Sequence, residues 1–237
     1  MQDDLVALSP FENHRRQLMA SAMAAALVPW AQPAHAASAE LEGVELEETI
    51  TAYGQKLVLN GAAVRKRGYF KADVTALYLP EKRTTPDAIF KLNGIRRIQL
   101  NLLREFTSST ISRIFIADFK QNSTDAEFKQ LINEISQVGA AYSAVKRVSK
   151  GDVVNLDWLP GKGWMCAING KQLMIDPGVA GGSSSHAINN ELAYQIYLRM
   201  YIGPAAPEEL RNGLLGLTRL PRSTGGGRDS KDKDGDA

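Results

Sequence analysis

The segment Val64–Leu79 constrains the fold of this chain more than any other. Val64, Phe70, Ala72, Val74, Ala76 and Tyr78 fall on one side of an alternation, and Arg65, Arg67, Tyr69, Lys71, Asp73 and Thr75 fall on the other. A period of two belongs to a β-strand, whose successive side chains point to opposite faces. The division into an apolar and a polar side predicts a sheet with one covered face. Further strands are predicted at Leu46–Thr51, Lys56–Leu59, Ile98–Leu103, Val153–Leu159, Gly163–Ile168 and Lys171–Ile175. Asn60-Gly61 reads as a turn after the second of these. Asn169-Gly170 tolerates positive φ at both turn positions and predicts a tight hairpin.

Helical spacing takes over between these strands. Ile111, Ile114, Phe115 and Phe119 share one face, with Ser108 or Ser109 as the cap. Thr124 and Glu127 form a capping box ahead of Phe128, Leu131, Ile132, Ile135 and Val138. A helix from about Asn189 to Tyr201 carries Leu192, Ile196 and Met200, and Gly203-Pro204 ends it. Pro207-Glu208-Glu209 opens a last short helix. These elements make an α+β domain, a large antiparallel sheet with a layer of helices on one side.

The ends of the chain read differently. His14, Arg15 and Arg16 precede an apolar run from Leu18 to Trp30, and Ala34-His35-Ala36 supplies a small-x-small cleavage pattern. Residues 1–36 are therefore expected to be a signal peptide. The protein is then periplasmic or secreted, with no transmembrane span once the signal is removed. Residues 37–43 are expected to be a polar linker and 44–217 the folded domain. Residues 218–237, rich in Gly, Ser, Asp and Lys, are expected to be a disordered tail.

Composition removes several function classes. With 28 Lys+Arg against 26 Asp+Glu, the chain has no basic coat for nucleic acid. Cys166 is the one cysteine, so neither an intrachain disulfide nor a CxxC metal knuckle can form. It alternates with Trp164 and Ile168, as a buried thiol would. After signal removal His186 is the remaining histidine, inside a Ser/Gly-rich loop, where a solvated side chain is expected. No zinc set, G-x-S-x-G elbow or phosphate-binding loop is present.

The residue left with chemistry to offer is Arg65. A guanidinium at the head of the long strand can fork onto a carboxylate or phenolate. The alternative is a surface arginine beside Lys66 and Arg67.

The stretch Leu59-Asn60-Gly61-Ala62-Ala63-Val64-Arg65, then Tyr69-Phe70-Lys71, then Ala76-Leu77-Tyr78-Leu79-Pro80, resembles the chalcone-isomerase-like family in its bacterial exported branch. Lys150-Gly151-Asp152, Ile168-Asn169-Gly170-Lys171, Tyr197–Gly203 and Leu210–Gly216 resemble its later segments. The resemblance implies an open-faced sandwich with a cleft between sheet and helices, and no metal or nucleotide cofactor. In the family's plant enzymes an arginine matching Arg65 orients the chalcone and stabilises the phenolate that closes the ring. In its fatty-acid-binding members the same arginine holds a carboxylate. The enzymes' long-strand threonine falls on Asp73, or on Thr75 if a bulge slips the register. Thr107, Ser108 and Ser109 stand where the enzymes have a tyrosine and an asparagine.

The expected ligand contacts are Arg65, Tyr69, Asp73 and Thr107, with Arg65 and Thr75 catalytic if the protein turns over a substrate. The partner implied is a small amphipathic molecule, a fatty acid or a phenolic. A non-catalytic envelope interaction protein is the remaining alternative.

Overall fold

The structure is a computed structural model and describes residues 38–175 and 185–221. The expected signal peptide, part of the Gly/Ser loop before His186 and most of the expected tail lie outside the described residues.

The chain opens with strands β1 (Ser38–Leu41) and β2 (Val44–Glu47), an antiparallel hairpin. Residues expected to form a linker are thus paired from Ser38 onward. Glu42 and Gly43 take positive φ to make the turn, and Ala39 and Leu46 face each other in the core. The other end is also longer than expected. Leu220 packs on the core, and the Glu40 amide donates to the Pro221 carbonyl at 3.2 Å.

The main sheet contains β3 (Thr49–Ala52), β4 (Gln55–Arg67), β5 (Phe70–Leu79) and β6 (Arg96–Leu102). A short helix α1 (Pro86–Phe90) lies between β5 and β6. After β6 come β7 (Phe106–Thr107), α2 (Ser108–Gln121), α3 (Asp125–Gln130), α4 (Ile132–Ser143) and β8 (Arg147–Val148). Strands β9 (Val153–Leu159), β10 (Gly163–Ile168), β11 (Lys171–Gln172) and β12 (Ala187–Ile188) follow, then α5 (Glu191–Ile202) and α6 (Glu208–Leu214). The strand order is β11-β10-β9-β6-β5-β4-β3, with β12 also on β10, and every pairing is antiparallel.

The long alternating run is not one strand. Gly68 and Tyr69 turn it back on itself, so β4 and β5 pair with Arg65 opposite Asp73 and Ala63 opposite Thr75. Nor is one face in water. Ala72 to Leu79 are all buried. Val74, Ala76 and Tyr78 pack toward the side carrying the β1–β2 hairpin, where the Tyr78 hydroxyl donates to the Glu47 carbonyl at 3.1 Å. Leu77 and Leu79 pack under the helices. Asp73 and Thr75 share their parity, so the side read as polar is the one that faces the helix layer.

Asn60-Gly61 is not a turn. It forms a bulge inside β4, where the register slips between Leu59 and Gly61. The glycine is needed because α6 lies directly on the strand. A Cβ on Gly61 would sit 2.1 Å from the Gly213 carbonyl, and one on Gly213 would sit 2.6 Å from the Ala63 Cβ. Asn60, buried, donates to the Leu214 carbonyl at 2.7 Å and accepts from the Arg83 amide at 2.7 Å.

Several local signals carry through to the structure. Asn169 and Gly170 adopt φ of 50° and 79° between β10 and β11. Thr124 and Glu127 form the reciprocal capping box. The helix after it is broken at Leu131 into α3 and α4, and α2 is capped by Thr107 rather than by a serine.

Candidate functional site

A hollow lies between the sheet and the helix layer. Its floor is made by Arg65 and Arg67 of β4, Ala72 of β5, Leu100 and Leu102 of β6, Val154 of β9 and Ile168 of β10. Its roof is Ile111, Ile114 and Phe115 of α2, Tyr142 of α4, and Tyr197, Met200 and Tyr201 of α5. Phe106, Val145 and Val148 close one side. The free space is about 740 Å³ counted out to solvent, and the room it leaves for the centre of a water-sized sphere is about 80 Å³. Apart from the two arginines and three phenols, the lining is apolar. That is the composition of a site that takes an apolar body and fixes it by a few polar groups.

The polar pole is built by register. Because Arg65 sits opposite Asp73, its guanidinium meets that carboxylate across the strands. Nε donates to Asp73 Oδ2 at 2.8 Å, and Nη2 approaches the same oxygen at 2.6 Å. Thr75 donates to the other oxygen, Oδ1, at 2.6 Å. Asp73 is fully buried, and the Arg65 side chain is 16% exposed. Burial alone would lower the basicity of Arg65, but the Asp73 carboxylate beside it reverses that effect. The guanidinium therefore stays charged. Asp73 occupies its Nε and Nη2 groups, and Nη1 turns to Tyr201, which lines the hollow with Arg65.

Helix α5 completes the pole. Tyr197 and Tyr201 are four residues apart, so they share a face. The Arg65 Nη1 group donates to the Tyr201 hydroxyl at 3.4 Å, and the guanidinium lies 5.4 Å from the Tyr201 ring centre. The Tyr197 and Tyr201 hydroxyls are 2.7 Å apart. Burial raises the pKa of both phenols, with Arg65 opposing the rise, so both remain protonated at neutral pH. The pair has two hydroxyl hydrogens and uses one between them. The other has no protein acceptor among the described residues, and both residues line the hollow.

The helix is held in this position from its other turns. The Tyr194 hydroxyl donates to the Arg96 carbonyl at 2.7 Å, and Arg199 grips Glu127 of α3 through two bonds of 3.1 and 3.0 Å. Tyr142, also buried, has its pKa raised well above the ordinary phenol value by burial. It packs edge-on against Phe115 with ring centres 5.8 Å apart.

The sequence-predicted site residues separate into two groups. Arg65 lines the hollow; Asp73 and Thr75 stand directly behind it and serve it rather than the cavity. Tyr69 is fully solvent-exposed at the β4–β5 turn, and Thr107 is an exposed helix cap that accepts from the Thr110 amide. The structure brings neither to the hollow: a turn tip points outward, and a cap hydroxyl is committed to its own helix. Arg67, which also lines the hollow, is paired with Asp118 of α2. Tyr197 and Tyr201 were missed as site residues. Their signal was the i, i+4 pairing of two phenols on one buried helix face, where Leu192, Ile196 and Met200 drew the reading toward plain packing. Cys166 is buried, and burial raises its thiol to about 12. His186 is exposed in its loop, as the sequence suggested. Among the described residues no three metal-ligating side chains come together, and no helix is long and apolar enough to cross a membrane.

No curated protein matches the sequence. Among solved structures, a fatty-acid binding protein of Arabidopsis thaliana superposes with a TM-score of 0.59 at 13% identity, over 76% of this chain and 96% of that one. At that identity the likeness speaks for the fold: an antiparallel sheet under a helix layer. The family model described as chalcone isomerase-like matches residues 38–216, from the first strand of the β1–β2 hairpin to just past α6. The chain belongs to the chalcone isomerase-like family.

Proposed function

We propose that this is an exported protein that binds a small amphipathic anion, a fatty acid or a phenolic, with the head group on Arg65 and the apolar body among the α2 and α5 side chains. The single observation that carries the reading is the pole described above. A charged guanidinium, whose Nη1 group makes only a long bond to Tyr201, stands beside a phenol hydrogen without an acceptor among the described residues, at one wall of an otherwise apolar hollow. A carboxylate or phenolate answers both donors. The fatty-acid binding protein among the structural neighbours supports the same ligand class. Room for about 80 Å³ of water-sized sphere centres is small for a long acyl chain, which has to displace lining atoms. Met200, unbranched and half-buried, is suited to give way.

Titration calorimetry with a saturated carboxylate against the alcohol of equal chain length tests this. The carboxylate is expected to bind at least about tenfold more tightly, the value of one charge-assisted hydrogen bond. Arg65→Gln combined with Asp73→Asn, which leaves no buried charge unpaired, should abolish that preference. Equal affinity for acid and alcohol in the wild type would refute the anion site. Export is tested by the intact mass of protein recovered outside the cytoplasm, which should begin at Ala37. A mass that retains the first 36 residues would contradict it.

A second reading, an intramolecular lyase in which Arg65 stabilises a phenolate as it closes a ring, is favoured by the phenol beside the guanidinium. Binding is preferred because the pole offers no free base. Asp73 is taken by Arg65 and Thr75, and the phenols are held protonated. Loss of chalcone absorbance faster than the uncatalysed reaction would reverse that preference.

A further inference from the structure

The end of the sheet nearest the hollow presents an unusual surface. Tyr69 and Phe70, consecutive at the β4–β5 turn, are 103% and 58% exposed. Two adjacent aromatic side chains in water lose hydrophobic stabilisation unless something covers them. Arg104, from the β6–β7 turn, lies over the Phe70 ring at 4.1 Å. The neighbouring turns meet at this same end. Leu103 donates to the Ala72 carbonyl at 3.0 Å, Gly151 to the Leu102 carbonyl at 2.8 Å, and Asn169 to the Val153 carbonyl at 2.8 Å.

Charge at this end is one-sided. The hairpin cations Lys66, Arg67 and Lys71 each meet a carboxylate: Glu209, Asp118 and Glu42. Arg147 meets Glu105 at 3.6 Å, and Asp152 is engaged by the Ser149 amide and Asn169. Arg104, Lys146, Lys150 and Lys171 remain, exposed and without a carboxylate partner among the described residues. Against them stands one carboxylate without a cation, Asp152, so the groups named here carry a surplus of three positive charges in a chain whose whole formal charge is +2. Aromatic side chains at headgroup depth beside exposed lysine and arginine are how proteins rest on an anionic bilayer. Ala72, Leu102 and Ile168, all lining the hollow, lie within a few residues of these turns.

We propose that this end of the sheet docks onto an anionic lipid surface, with Tyr69 and Phe70 entering the headgroup region and the surplus cations meeting lipid phosphates. The inference goes beyond the anion site and does not depend on it, since vesicle binding needs no ligand in the hollow. It gives the exposed aromatic tip, where only Phe70 has a cover in Arg104, an occupant, and it would bring the hollow close to a source of acyl chains.

The test places a reporter on the tip. Because Cys166 is buried, a Tyr69→Cys variant of the full chain takes an environment-sensitive fluorophore at that one position. Its emission should shift to the blue with vesicles of phosphatidylcholine and phosphatidylglycerol, and not with phosphatidylcholine alone. On the unlabelled chain, Phe70→Ser with Lys150→Gln should weaken vesicle co-sedimentation by about fivefold or more, and added salt should weaken the wild type similarly. The apolar N-terminal run is common to all these chains, so it cannot produce the difference. Unchanged emission with anionic vesicles, or equal co-sedimentation of variant and wild type, overturns the proposal. Carboxylate binding in the hollow stays intact under either outcome.

Discussion

At the scale of single residues, the meaning of Arg65 depends on Asp73. The two are partners across a strand pair, and the carboxylate is wholly buried. Removing one member of such a pair leaves the other charge uncompensated, which typically costs about 3–5 kcal/mol. Arg65→Ala should therefore destabilise the fold by about that much in urea unfolding, and Arg65→Ala with Asp73→Ala should recover a large part of the loss. A double variant no more stable than the single would show that the pair is not coupled in solution. Arg65, singled out in the sequence by its motif and its place beside a strand, does line the hollow. Its partnership was not legible in the sequence. Asp73 falls opposite Arg65 only because the chain reverses at Gly68-Tyr69, and a strict alternation running through that turn concealed the reversal. Leu77 and Leu79, of the same parity as Asp73, were the available sign that this side of the strand faces a core.

At the scale of elements, local chemistry was legible where the signal needs no distant partner. The Asn169-Gly170 hairpin and the Thr124–Glu127 box depend on backbone geometry within a few residues, and both form. Asn60-Gly61 carries the same kind of signal but obeys a remote demand, the arrival of α6 about 150 residues later. There the glycine serves as a contact surface, not as a turn. Gly61→Ala or Gly213→Ala should cost about 1–3 kcal/mol or more, because the added methyl meets backbone or a neighbouring Cβ. Gly139, inside α4 with open space where a Cβ would go, is the matched control. Gly139→Ala should stabilise by up to about 1 kcal/mol through helix propensity. If all three behaved alike in thermal unfolding, the close packing of α6 on β4 would be wrong. Strand β1 was missed for a similar reason. Ser38–Leu41 is short and polar at alternate positions, and pairing with β2 makes it ordered.

At the scale of the whole molecule, the layers explain where the site lies. The sheet is covered on both sides at β5, so the polar side chains of that strand cannot reach water and are grouped at one end of the helix-covered side. The roof from α2 and α5, apolar apart from the Tyr197 and Tyr201 hydroxyls, then closes over them. The fold class was legible because alternating strands followed by amphipathic helices leave few layer arrangements. The hollow was not, because it is defined by side chains from seven strands and three helices that only the completed topology brings together, with Val145 beside them.

The central claim is that this hollow holds an amphipathic anion through Arg65. Mass spectrometry of organic extracts from the purified wild-type protein, beside the Arg65→Gln/Asp73→Asn variant purified in the same way, tests it most directly. The account predicts a fatty acid or phenolic acid co-purifying with the wild type and depleted by about tenfold or more in the variant. The same compound in equal amount from both proteins would contradict it.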